Sequence, residues 1–170
     1  MDNKITSWHV GVAGEAFAAA QFARFGYYVS VQYGANQPEY DLIAQTGDQM
    51  LKISVKGSKD GSWGLTQKYL KNGDYQTAIN DWLSAHGDKT VFCLVQFKDV
   101  KENDMPRIYL ATPHEIAEVM RKSANGRGDT ILYEDHTWSN RAFAAGTTDK
   151  IPEEWLMTAE RTKYIFDLKG

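Results

Sequence analysis

Across residues 51–56 hydrophobic and polar positions alternate strictly. Leu51, Ile53 and Val55 interleave with Lys52, Ser54 and Lys56, and a period of two sends the two sets to opposite faces of a strand. A second apolar run, Leu42-Ile43-Ala44, lies upstream, and the polar Thr46-Gly47-Asp48-Gln49 separates the two. The stretch 38–59 therefore reads as a β-hairpin. A turn centred between Gly47 and Asp48 sets Asp41 opposite Ser54, with Lys56 as its diagonal neighbour.

Helical spacing predicts a first helix that begins within 7–9 and stops at Gly26. Its body carries Gly11, Ala13, Gly14, Ala16, Ala18, Ala19, Ala20 and Ala23, so it is slim enough to lie close against a sheet. Glu15 shares a stripe with Ala18, Ala19 and Phe22 and is expected to point inward. A strand follows at 27–31, then a break over 34–38 and the hairpin. Residues 57–64 read as a glycine- and serine-rich loop carrying Trp63. Asp74 caps a second predicted helix that reaches His86 with Ala78, Ile79, Trp82 and Leu83 inward.

The almost continuous apolar run 90–97 marks a central buried strand. After it come a polar loop (98–106), a strand (107–111) and a helix with Pro113 in its first turn and Ile116, Val119 and Met120 as its core stripe. A short strand over 130–133 and a last helix from Ile151, with Trp155, Leu156 and Ala159 inward, complete the prediction. This is an α/β pattern, a central mixed sheet with helices on both faces.

A chain of 170 residues suits a single domain, 1–170. No apolar run is long enough to span a bilayer and no signal core follows Met1-Asp2-Asn3-Lys4, so a cytoplasmic location without membrane contact is expected. Cys93 is the only cysteine, which excludes an intramolecular disulfide and a cysteine-rich zinc site. His9, His86, His114 and His136 show no paired ligand spacing. Phosphate-binding glycine loops and the Gly-x-Ser-x-Gly elbow are missing as well, so common ATP and ester chemistries lose support.

The formal net charge of −3 argues against coating nucleic acid by bulk electrostatics. Around the hairpin, however, Lys52, Lys56, Lys59, Lys68 and Lys71 face only Asp60. These lysines are candidates for phosphate binding, with a merely solvated face as the plainer reading. Asp41 stands at the mouth of a buried strand, where an ionised carboxylate needs a partner. Lys56 is one candidate and a bound cation is another. Glu15 either forms a salt bridge or cap, or joins Asp41 and Lys56 in one site.

Gly14-Glu15-x-x-Ala18, Phe25-Gly26-Tyr27, Glu39-Tyr40-Asp41 and Ser54-Val55-Lys56 together resemble the PD-(D/E)XK nuclease superfamily. The resemblance covers roughly the first hundred residues. It implies a restriction-endonuclease-like core in the order αβββαβ, to which the pattern beyond residue 100 adds a C-terminal α/β segment. It further implies a metal-dependent DNA endonuclease or related phosphodiesterase that uses Mg2+ or Mn2+. Glu15, Asp41 and Lys56 would be its catalytic residues, and Asp41, Glu15 and the Val55 backbone carbonyl would hold the metal.

Ser54 stands where that family carries an acid or Gln. A hydroxyl is a poorer magnesium ligand than a carboxylate, so Ser54 would act weakly, at most through water. DNA is the expected partner, and RNA and a homodimer are compatible with the pattern. The alternative class is a nuclease-fold module with impaired chemistry that binds nucleic acid or a protein.

Overall fold

A computed structural model describes residues 4–32 and 39–170. The break expected over 34–38 lies outside the described residues. The chain gathers into two compact units. Unit 1 comprises Met1–Asp60, Asp88–Ala111 and Glu154–Gly170, and unit 2 comprises Gly61–Gly87 and Thr112–Glu153.

Unit 1 holds a mixed five-stranded sheet in the order β1-β2-β3-β5-β6. Its strands are β1 (Tyr28–Val31), β2 (Leu42–Thr46), β3 (Gln49–Ser58), β5 (Thr90–Gln96) and β6 (Arg107–Ala111). The β3–β5 pair is parallel and the others are antiparallel. β2 and β3 form the expected hairpin around Gly47-Asp48. Gly47 has φ 54°, a left-handed conformation that glycine adopts without a Cβ penalty. Leu42 pairs with Ile53 and Ala44 with Leu51, the register that this turn dictates.

Helix α1 (Ser7–Arg24) starts at Thr6, whose amide donates to Nδ1 of His9 at 3.2 Å. It ends at Phe25 before Gly26, which has φ 87°. Ala18 and Phe22 of α1 join Leu42, Ile53, Val55, Cys93 and Leu110 of the sheet in one apolar core. Ile165 and Phe166 of α4 (Ala159–Lys169) enter the same core. β5 is buried along its whole length, including Phe92, Leu94 and Gln96 on the opposite face. Burial also pushes the Cys93 thiol up in pKa, so this cysteine is an inert core residue.

Unit 2 contains α2 (Tyr75–Ser84), α3 (Pro113–Lys122) and two antiparallel strand pairs. β4 (Ser62–Gly64) pairs with β7 (Ile131–Tyr133), and β8 (Asp135–Thr137) with β9 (Thr148–Lys150). Asp74 caps α2 as expected, accepting from the Thr77 amide at 3.0 Å. No helix of the described residues is long and apolar enough to cross a membrane.

Three expectations are corrected. The 57–64 stretch is not simply a loop, because β3 runs to Ser58 and Trp63 lies buried in β4, 3% exposed. The last helix begins at Ala159 rather than 151, since the Thr158 side chain supplies the cap by accepting from the Arg161 amide. Trp155 sits in a preceding 3-10 turn and is buried, but Leu156 is 45% exposed and Ala159 is exposed as well. β8 and β9 carry no apolar alternation, which is why the sequence did not reveal them.

Candidate functional site

The site is built where α1 crosses β3. Two glycines allow that approach. A Cβ on Gly57 would stand 2.6 Å from the Val10 carbonyl oxygen, and one on Gly14 would stand 3.2 Å from the Gly57 Cα. Helix and strand backbones therefore touch at the residue after Lys56 and at the residue before Glu15. The small-residue content of α1 thus becomes a close crossing that carries Glu15 toward the hairpin.

The buried stripe of α1 is Val10, Gly14, Ala18 and Phe22. Glu15 flanks this stripe and is only half-buried, so it points to the edge of the core rather than into it. Its pKa is raised, first by burial and then by the Asp41 carboxylate, while the Lys56 ammonium pulls it down. Two of the three expected partners thus act electrostatically on the third. Asp41 and Lys56 both lie close enough to Glu15 to act on its charge.

Asp41 lies one residue before β2 and is tied on both sides. Its carbonyl accepts from the Gln32 amide at 2.9 Å and its amide donates to the Ile53 carbonyl at 2.8 Å. Ile53 is already the partner of Leu42, so residues 41 and 42 share one opposing residue. This bulge-like step re-aims the side chain. The ladder ends there, and the expected Asp41–Ser54 cross-strand pair does not form. The Asp41 carboxylate instead accepts from the Val55 amide, Oδ2 to N 2.6 Å.

Ser54 is 3% exposed, whereas Lys52 and Lys56 beside it on the same strand face are exposed. The Lys52 ammonium lies 5.3 Å from the centre of the Tyr40 ring, a cation–π contact. Lys59 follows β3 and donates from Nζ to the Ile5 carbonyl at 2.9 Å. Lys68 and Lys71 belong to unit 2, where Lys68 lies over Tyr69. The five lysines of the sequence cluster are thus divided between the two units.

Magnesium is commonly held by one or two carboxylates together with substrate phosphate oxygens and water. Glu15 and Asp41 fit that modest demand. Among the described residues no group of three or more His, Cys, Asp or Glu gathers to hold a metal. The Gly14–Gly57 crossing was the feature that sequence reasoning missed. Its signal was Gly57 following directly on the alternating strand.

No family model matches the chain, and no curated protein matches it. Among solved structures, the Holliday junction resolvase Hjc of the archaeal hyperthermophile Archaeoglobus fulgidus is similar over 73% of this chain and 88% of its own. The identity is 15% and the TM-score 0.38.

Proposed function

We propose that the chain is a metal-dependent phosphodiesterase of the PD-(D/E)XK type acting on DNA. The observation that supports this most is the Asp41 carboxylate held on the Val55 amide, next to Lys56, with the charges of Asp41 and Lys56 both acting on Glu15. Asp41 and Glu15 would hold a magnesium or manganese ion. In a strand the N–H and C=O of one residue point to the same side, so the Val55 carbonyl lies on the Asp41 side, and it would be the third ligand. When bound, the ion polarises the scissile phosphate and makes a coordinated water more acidic.

Lys56 orients the attacking water or takes its proton, and offers a positive charge to the oxyanion that develops on phosphorus. Asp41 cannot swing away, because Val55 donates to it and its backbone is tied to both neighbouring strands. Glu15, with its raised pKa, gives up a proton more reluctantly than an ordinary glutamate. A divalent cation held beside Glu15 would favour its ionised form. Ser54 contributes at most one hydrogen bond to a water.

Ser54 also motivates a second reading, a nuclease-fold module that binds DNA without cutting it. One experiment separates the two. Magnesium binding by calorimetry and nicking of plasmid and branched DNA are compared for wild type, Asp41→Ala, Lys56→Ala and Ser54→Glu. The catalytic reading expects weak metal binding that Asp41→Ala abolishes, slow nicking that Lys56→Ala removes, and faster nicking in Ser54→Glu. DNA binding with no nicking in wild type or Ser54→Glu would instead establish the binding module.

A further inference from the structure

A cavity of about 430 Å3 opens in unit 1 beside α1. At about 100° per helical residue, Glu15 lies on one flank of the buried stripe, while Ala13 and Phe17 lie on the other. Val10, Ala13 and Phe17 form one wall, and Phe97 and Val100, just beyond β5, form the next. The rings of Phe17 and Phe97 meet edge-on with centroids 5.8 Å apart. Candidate site and cavity are thus separated by about one helix width, roughly 10 Å.

The charges around this cavity cancel. Lys59 and Lys101 stand against Glu102 and Asp104, with His9 beside them. An apolar, aromatic interior with balanced charges favours a flat neutral group over a phosphate. Between the two flanks, the outer face of α1 carries Trp8 and Val12, which are 70% and 47% exposed, and Ile5, just before the helix, is 60% exposed. Aromatic and apolar surface is what an unstacked nucleotide strand uses for its bases. Carboxylates can accept from amino groups on base edges.

We propose that this cavity receives an unpaired base of a DNA strand whose backbone crosses the outer face of α1 toward Glu15, Asp41 and Lys56. The inference rests on the nuclease reading above and narrows its substrate to DNA that carries an extrahelical nucleotide. A pocket of this volume holds a ligand of drug size, which suits one nucleoside. A stacked base pair cannot enter, so the base must leave the duplex, and an already unpaired base does so at least cost.

The test uses the full chain without divalent metal, so that no cleavage intervenes. Binding is measured to a paired duplex and to the same duplex carrying one bulged 2-aminopurine, whose emission reports its stacking. Wild type is expected to prefer the bulged duplex by about tenfold, in line with the contribution of one stacked base, with a change in 2-aminopurine emission. Ala13→Phe fills the cavity from the helix and Val100→Phe fills it from the loop. Either variant, shown folded by its melting curve, should bring the preference to about twofold or less and abolish the emission change. Wild type binding both duplexes equally overturns the cavity assignment and leaves the nuclease reading standing, as do folded filled variants that keep the preference. Wild type binding neither DNA overturns both.

Discussion

Unit 1 meets the hydrogen-bonding demand of its backbone with long ladders, and unit 2 meets much of its own with side chains. β3 and β5 pair over seven consecutive positions, whereas each strand of unit 2 spans three residues. In unit 2, Gln76 donates from Nε2 to the carbonyls of Arg121, Gly126 and Arg127 at 3.0, 3.2 and 3.1 Å. Asp149 Oδ2 accepts from the Ala124 amide at 2.9 Å and from Trp138 Nε1 at 2.7 Å. Arg127 lies 4.4 Å from the Tyr75 ring centre and 4.9 Å from that of Phe143. Gln76, Asp149 and Arg127 of unit 2 are thus committed to structure. In unit 1 the ladders carry most of that task.

The sharpest way to break this contrast is Asp149→Ala. It strands the amide of the fully buried Ala124 and the Trp138 N–H, and hydrogen bonds to a charged acceptor are worth more than neutral ones. A loss of about 3 kcal/mol is expected in urea unfolding, with faster amide exchange around Ala124 and Trp138. A stability matching wild type would mean that Asp149 does not hold this unit together.

Next in size is Gly57→Ala, which forces a Cβ onto the Val10 carbonyl. Because the obstacle is backbone, α1 must shift, at a cost of about 1–3 kcal/mol. The same shift moves Glu15 away from Asp41, so magnesium affinity should fall as well. A variant that loses stability but keeps full metal affinity would show that the crossing does not position Glu15.

Thr112→Ala tests unit 2 at a smaller scale. Thr112 and Glu115 form a reciprocal capping box at the start of α3, at 3.2 and 2.7 Å. Its removal should cost about 1 kcal/mol, read as a lowered urea midpoint with an unchanged slope.

The smallest effect belongs to Glu15. Its pKa is raised in the fold, so the associated stability is fully present below the ordinary glutamate value near 4.5. That stability is lost as pH rises through the higher folded value. Metal-free Glu15→Gln should therefore lack this component of the pH dependence and be slightly more stable than wild type near neutrality. An unchanged stability profile between pH 4 and pH 7 would contradict the raised value.

Much of unit 1 was legible because its physics is local. Alternation over 51–56 determined which residues of β3 face the core, a two-residue turn at Gly47-Asp48 determined the Leu42–Ile53 register, and Gly26 marked the end of α1. The continuous apolar run at 90–97 identified the central strand, since only a strand covered on both faces tolerates such composition. Glu15, Asp41 and Lys56 were candidates from residue type and spacing alone.

What the tertiary structure decided rests on contacts between distant segments. Whether Glu15 points into the core or to its edge depends on the Gly14–Gly57 crossing, a contact between helix and strand that no helical period encodes. Asp41 faces the Val55 amide rather than Ser54 because a bulge-like step at Ile53 ends the ladder, and such steps leave no mark in a hydrophobic pattern. β8 and β9 were invisible for a related reason. They are held by pairing and by Asp149 reaching Ala124 and Trp138, so their order comes from polar bonds formed only once the chain has folded.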